Sequence, residues 1–249
     1  MTLSTHVLWL IPVGFIAQMI DGCVGMGYGI SSSSILATLG VPPLVTSATV
    51  HAAEVVTAGI SSASHAWFRN LDRKIFLSLL APGVLGGIVG ATVLAHVPTH
   101  AIRPFVWTYL LITGLLVVGR VVLKRAPPIA VGAPGPTLGL VAGFLDAIGG
   151  GGWGTIVTST MIARGVAPRY AIGTANAVDF FVALAISIAL WTQMGHMRYD
   201  MVIALLIGGA AAAPLSAWVT RHVPGRAAAT AVGLVVVLLG AAGLLNALY

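Results

Sequence analysis

Of the six acidic residues in this 249-residue chain, Asp21, Glu54, Asp146 and Asp179 fall inside apolar segments, whereas Asp72 and Asp200 sit in loops beside basic residues. A carboxyl group in hydrocarbon costs about 2.5–3.5 kcal/mol even on insertion scales, so each of the four needs a pathway, a partner or a proton. Helical spacing places Ser47, His51 and Glu54 on one face, and Asn176 and Asp179 on another. The first set holds a titratable pair and the second an amide–acid pair. Groups of this kind bind and release protons as a protein changes conformation. A fixed role stands beside that one, with His51 satisfying Glu54 or a backbone carbonyl. For Asp21 and Asp146 the alternatives are proton coupling and the capping of interrupted helices.

Two glycine breaks follow the aspartates: Asp21-Gly22-Cys23-Val24-Gly25-Met26-Gly27-Tyr28-Gly29 and Asp146-Ala147-Ile148-Gly149-Gly150-Gly151-Gly152-Trp153-Gly154. Backbone N–H groups at glycines can face a ligand, and the helix after each break aims its positive dipole end at it. Hydroxyls at Ser31, Ser32, Ser33, Ser34, Thr155 and Thr158 lie in the first turns beyond. Two such helix starts would hold a small oxyanion without a buried arginine. The competing reading is tight helix packing. No Gly-Lys-Ser/Thr follows either break, which disfavours a nucleotide loop.

The elements that position these groups must be membrane helices. Only 7% of residues are charged and 58% are apolar, with a mean hydropathy of +1.01, so the surface cannot be water-covered. Apolar runs at Ile75–Ala95, Phe105–Leu123, Tyr170–Trp191, Met201–Val219 and Ala227–Leu248 are each about 20 residues long, enough to cross the bilayer core as helices. The net charge of +6 reads as basic cytoplasmic loops, not as a nucleic-acid surface. The single cysteine, Cys23, excludes an intramolecular disulfide and a cysteine-based metal site. No basic stretch precedes Val7 and no cleavage site follows the first apolar run, so that run is expected to be retained.

A shift of 125 residues superposes the two halves. It carries Asp21 onto Asp146, Gly25, Gly27 and Gly29 onto Gly150, Gly152 and Gly154, Tyr28 onto Trp153, His51 onto Asn176 and Glu54 onto Asp179. Four aligned acids do not arise from apolar bias alone, so the chain reads as a duplication: 1–125, a linker at 126–136, and 137–249. Each half reads as five helical segments, two short and three of spanning length. The short pairs are expected near Val7–Ile20 with Gly29–Leu39, and Thr137–Ile148 with Gly154–Ala163. They are either re-entrant hairpins or broken helices. If each pair enters and returns, one face carries Arg69, Arg73, Lys74, Arg120, Lys124, Arg125, Arg164, Arg169, Arg221 and Arg226, against Arg103 and Arg198 opposite. That split places both termini in the periplasm, the linker in the cytoplasm, and the halves in inverted topology. The expected fold class is therefore an all-α integral membrane protein of two inverted repeats.

The doubled Asp-x-x-x-Gly-x-Gly-Tyr/Trp-Gly motif, the Gly-Val-x-Pro turns at Gly40–Pro43 and Gly165–Pro168, and the Thr49-Val50-His51 and Thr174-Ala175-Asn176 elements resemble the TauE/SafE family of sulfite and organosulfur-anion exporters. The resemblance covers nearly the whole chain. It implies a secondary transporter of the bacterial inner membrane for a small oxyanion such as sulfite or sulfoacetate, with lipid as its surroundings and no cofactor, metal or nucleic acid. The expected substrate contacts are Gly25, Gly27, Tyr28, Gly29, Ser31, Ser32, Thr49, His51, Gly150, Gly152, Trp153, Gly154, Thr155, Thr174 and Asn176. Glu54, Asp179, Asp21 and Asp146 are the expected proton-coupling groups. A cation site built on the buried acids is the alternative transport reading. An intramembrane aspartyl protease is a distant third, because Asp21 and Asp146 precede their glycines instead of following them.

Overall fold

The computed structural model describes residues 5–24, 27–122, 135–195, 197–219 and 225–248, and every regular element among them is an α-helix. A single turn, α1 (Thr5–Leu8), leads into α2 (Leu10–Val24), followed by α3 (Tyr28–Thr38), α4 (Pro43–Trp67), α5 (Arg73–His96) and α6 (Thr99–Val122). Beyond the linker come α7 (Pro136–Gly149), α8 (Trp153–Ala163), α9 (Pro168–Met194), α10 (Tyr199–Val219) and α11 (Gly225–Leu248). Apart from the single turn α1, two short helices and three long ones thus stand on each side of the linker. The first short helix runs past the expected Ile20 to Val24. A single interior glycine, Gly22, costs a helix only about 1 kcal/mol and does not stop it.

Local chemistry sets most helix ends. Pro43, Pro136 and Pro168 open α4, α7 and α9 at first-turn positions, where a missing N–H costs nothing. Asp72 caps α5, accepting from the N–H groups of Lys74 and Ile75 at 2.9 and 3.0 Å. α3 and α8 close identically: Val41 donates to Leu36 O and Gly40 to Ala37 O, while Val166 donates to Met161 O and Gly165 to Ile162 O. That double bond pattern satisfies the last carbonyls of each helix.

α5 and α6, at 24 residues each, and α9, at 27, rise about 36–40 Å at 1.5 Å per residue and are apolar enough to cross a membrane. The 11-residue α3 and α8 rise only about 16 Å, half a bilayer core. Polarity is inverted relative to a water-soluble protein. Trp9, Ile60, Phe68, Leu77 and Leu238 lie on the outside, while Ser32, Ser33, Ser34, Ser47, His51 and Asp146 are sealed inside. The chief helix pairs are α5 with α7, α2 with α10, α6 with α11 and α4 with α9. Glycines let the first two approach closely. A Cβ on Gly139 of α7 would come within 2.8 Å of Leu79 O on α5, and one on Gly14 of α2 would strike the backbone of Leu205 on α10.

Candidate functional site

The starts of α3 and α8 are built alike. Each is preceded by a glycine at a φ that L-residues avoid, Gly27 at 131° and Gly152 at 133°. The helical ladder begins with Ser31 N–H on Gly27 O at 3.0 Å and Ile156 N–H on Gly152 O at 3.1 Å. The first N–H of each helix is taken by the aspartate seven residues upstream. Tyr28 N–H donates to Asp21 Oδ1 at 3.4 Å, and Trp153 N–H donates to Asp146 Oδ1 at 2.8 Å. Both aspartates thus make the capping contact, each with one carboxyl oxygen. Gly29, Ile30 and Gly154 follow at positions where the N–H has no acceptor within its own helix.

These positions line a cavity of about 30 Å³ together with Asp21, Gly27, Tyr28, Glu54, Thr57, Ala58, Ser61, Gly152, Thr155, Asn176 and Asp179. That volume is two or three times what one water needs. α4 supplies Glu54, Thr57, Ala58 and Ser61, and α9 supplies Asn176 and Asp179. The α3 and α8 breaks meet here: a Cβ on Gly29 would lie 2.7 Å from Gly151 Cα, and 3.4 and 3.5 Å from the two Glu54 carboxyl oxygens. Glu54 and Asp179 are 8% and 6% exposed, and neither Glu54 Oε2 nor Asp179 Oδ1 has a hydrogen-bond partner. No lysine or arginine lines the cavity. Among the described residues, the groups of positive polarity that face it are the N-terminal ends of α3 and α8.

Several expected site residues are held elsewhere. Gly25 lies outside the described residues. Ser31, Ser32 and Thr49 are buried but do not line the cavity, nor do Gly150 and Trp153. Trp153 Nε1 donates to Ala175 O at 3.1 Å, which makes its ring a packing and bonding element of α9. Thr174 Oγ1 accepts from Asp72 N–H at 2.9 Å, tying α9 to the α4–α5 loop. Of the two partners expected for His51, Glu54 or a backbone carbonyl, the structure shows the carbonyl, and it adds an acid other than Glu54. His51 is fully buried, its Nδ1 lies 2.8 Å from Ser47 O, and its Nε2 lies 3.1 Å from Asp146 Oδ2 in the other half of the chain. An i, i+3 spacing puts two residues on one face, but the acid that His51 meets is Asp146, buried across the α4–α7 contact.

Thr57 and Ser61 escaped the sequence reading although a signal existed, since i+3 and i+7 from Glu54 continue its face. Tyr109 carried no such signal, whereas Ser47 was marked by the His51 face and Ser33 by the hydroxyls beyond the first break. Tyr109 OH donates to Gly151 O at 2.8 Å, Ser47 Oγ to Ala147 O at 2.6 Å, and Ser33 Oγ to Gly150 O.

A family model described as sulfite exporter TauE/SafE matches residues 10–243. The chain is 35% identical over 244 residues to a protein of Bacillus subtilis (strain 168) named "Probable membrane transporter protein YtnM", with 94% of this chain and 81% of that protein covered. No solved structure matches the chain.

Proposed function

We propose, from the premise that this chain belongs to the sulfite exporter TauE/SafE family, that it is a secondary transporter carrying a small oxyanion, sulfite or an organosulfur anion, across the bacterial inner membrane together with protons. The observation that carries this reading is the cavity where the starts of α3 and α8 converge between Glu54 and Asp179. Helix N-termini supply amide donors and a positive dipole end for an anion. Thr57, Ser61 and Asn176 add side chains able to hydrogen-bond its oxygens.

The two carboxyl groups give the site its coupling. An anion entering beside an ionised Glu54 is repelled by about 4 kcal/mol at about 4 Å and an effective dielectric constant of about 20. A proton on the carboxyl removes that repulsion, so anion and proton enter together more easily than either alone. Alternating access then takes the form of two inverted repeats, 1–125 and 137–249, rocking about this site. The exchange of helix pairings between halves supports that plan: α5 with α7 answers α2 with α10, and α5 with α9 answers α4 with α10. The same reading places the re-entrant α2–α3 and α7–α8 pairs back to back, both termini in the periplasm and the linker in the cytoplasm.

A second reading rests on the lining itself. Three acidic residues, Asp21, Glu54 and Asp179, and no basic one face the cavity, which also suits a monovalent cation. Flux into proteoliposomes separates the two. Uptake of labelled sulfite driven by an inward proton gradient, indifferent to sodium, supports proton–anion symport. Sodium flux without sulfite flux would replace it with the cation reading.

A further inference from the structure

The two halves of the cavity are chemically unequal, and the inequality centres on Tyr109 of α6. The phenol is 6% exposed, and its ring lies against the α7–α8 break, where a Cβ on Gly149 would fall on ring carbons and one on Gly152 would fall on the hydroxyl. Tyr109 OH donates to Gly151 O. Three further groups from the first half hold the same break: Ser33 on Gly150 O, Ser47 on Ala147 O, and His51 on Asp146, which itself caps Trp153. The last turn of α7 and the break after it are thus bonded at Asp146, Ala147, Gly150 and Gly151.

The 125-residue shift keeps a donor in place of Ser33, as Thr158, and of His51, as Asn176, but not in place of the other two braces. It carries Tyr109 onto Leu234, Ser47 onto Ile172 and Gly149 onto Val24. Leu234 and Ile172 have no donor to offer a carbonyl. The change from glycine to valine occurs at the position where an aromatic ring needs the space. The extra glycine of the second break and the lone tyrosine are therefore two parts of one packing arrangement.

We infer that Tyr109, seated on Gly149, is a positioning residue that makes the α8 start the fixed wall of the anion site. This rests on the anion reading above. Tyr109 is not on the cavity lining and acts through Gly151 and Gly152, holding the amide of Gly154 where an oxyanion requires it. Donors fixed beforehand lose little freedom on binding, so affinity depends on a hydroxyl the anion never touches.

The experiment uses Tyr109→Phe and, independently, Ser47→Ala in the full-length purified protein, each checked for monodispersity. Amide hydrogen exchange without ligand is expected to quicken over residues 150–156 in both variants and to stay unchanged over 28–34. Sulfite affinity by calorimetry is expected to weaken by about three- to tenfold in Tyr109→Phe, the loss of one neutral hydrogen bond. Wild-type exchange at 150–156 in both variants, or equal quickening at both helix starts, overturns the inference. If the wild type binds no sulfite, the anion reading fails while the exchange comparison still judges Tyr109.

Discussion

Replacing Glu54 by glutamine tests the coupling argument where the structure gives it a magnitude. The Glu54 carboxyl oxygens sit 3.4 and 3.5 Å from where a Cβ on Gly29 would be, so an anion on the Gly29 and Ile30 amides would lie within about 4–6 Å of the carboxyl. At an effective dielectric constant of about 20, a full charge there opposes binding by about 3–4 kcal/mol. That energy corresponds to a two- to threefold power of ten in affinity between the ionised and protonated states. Glutamine keeps the shape and stays neutral, so Glu54→Gln should bind as the protonated wild type does at every pH. Asp179→Asn should remove the remaining dependence. Calorimetric titration from pH 5.5 to 8.5 is the assay, run with a sulfonate that remains a monoanion throughout, because sulfite itself changes charge in this range. Wild-type affinity should fall as pH rises, and the double variant should give a flat profile and pH-independent flux. If both amide variants keep the wild-type pH dependence, the carboxyl groups are not the coupling site and their role is structural.

Valine at Gly27 or Gly152 would force a β-branched residue to a φ above 130°, at a cost of about 1–3 kcal/mol, to which the collision with the Tyr109 hydroxyl adds at Gly152. Sulfite binding should be lost while the protein still inserts, and unchanged affinity in both variants would argue against helix-start recognition. His51→Leu leaves Asp146 buried without its partner. A loss of about 3–5 kcal/mol is expected if the pair is ionic, read as a lowered Tm, and a wild-type Tm would mean that the His51–Asp146 contact carries no stability. In a Cys23→Ser background, single cysteines at the termini should be labelled by a membrane-impermeant reagent from the periplasm and those at 126–136 only after permeabilisation. Labelled linker cysteines in intact cells would reverse the orientation.

Much of the architecture is written locally and was legible without coordinates. Charge scarcity identifies lipid as the solvent. Pro43, Pro168, Gly40 and Gly165 mark helix ends because their effects act within one turn. The breaks at Gly27 and Gly152 announce themselves because only glycine takes the φ found there. Internal symmetry then singled out Glu54, Asp179 and Asn176, all of which reach the cavity. The partners of those residues were not legible. Helical spacing says which side chains share a face, and nothing in it says which helix that face will meet. Hence His51, three residues from Glu54, bonds instead to Asp146, 95 positions away, and Thr174, grouped with the site by its motif, ties down Asp72 N–H. Tyr109 belongs to no motif and to neither glycine break, and its hydroxyl acquires a role only when α6 lies against the α7–α8 break. Local backbone preference determined where each helix begins and ends, while the choice among competing hydrogen-bond partners in a water-poor interior was made by long-range packing alone.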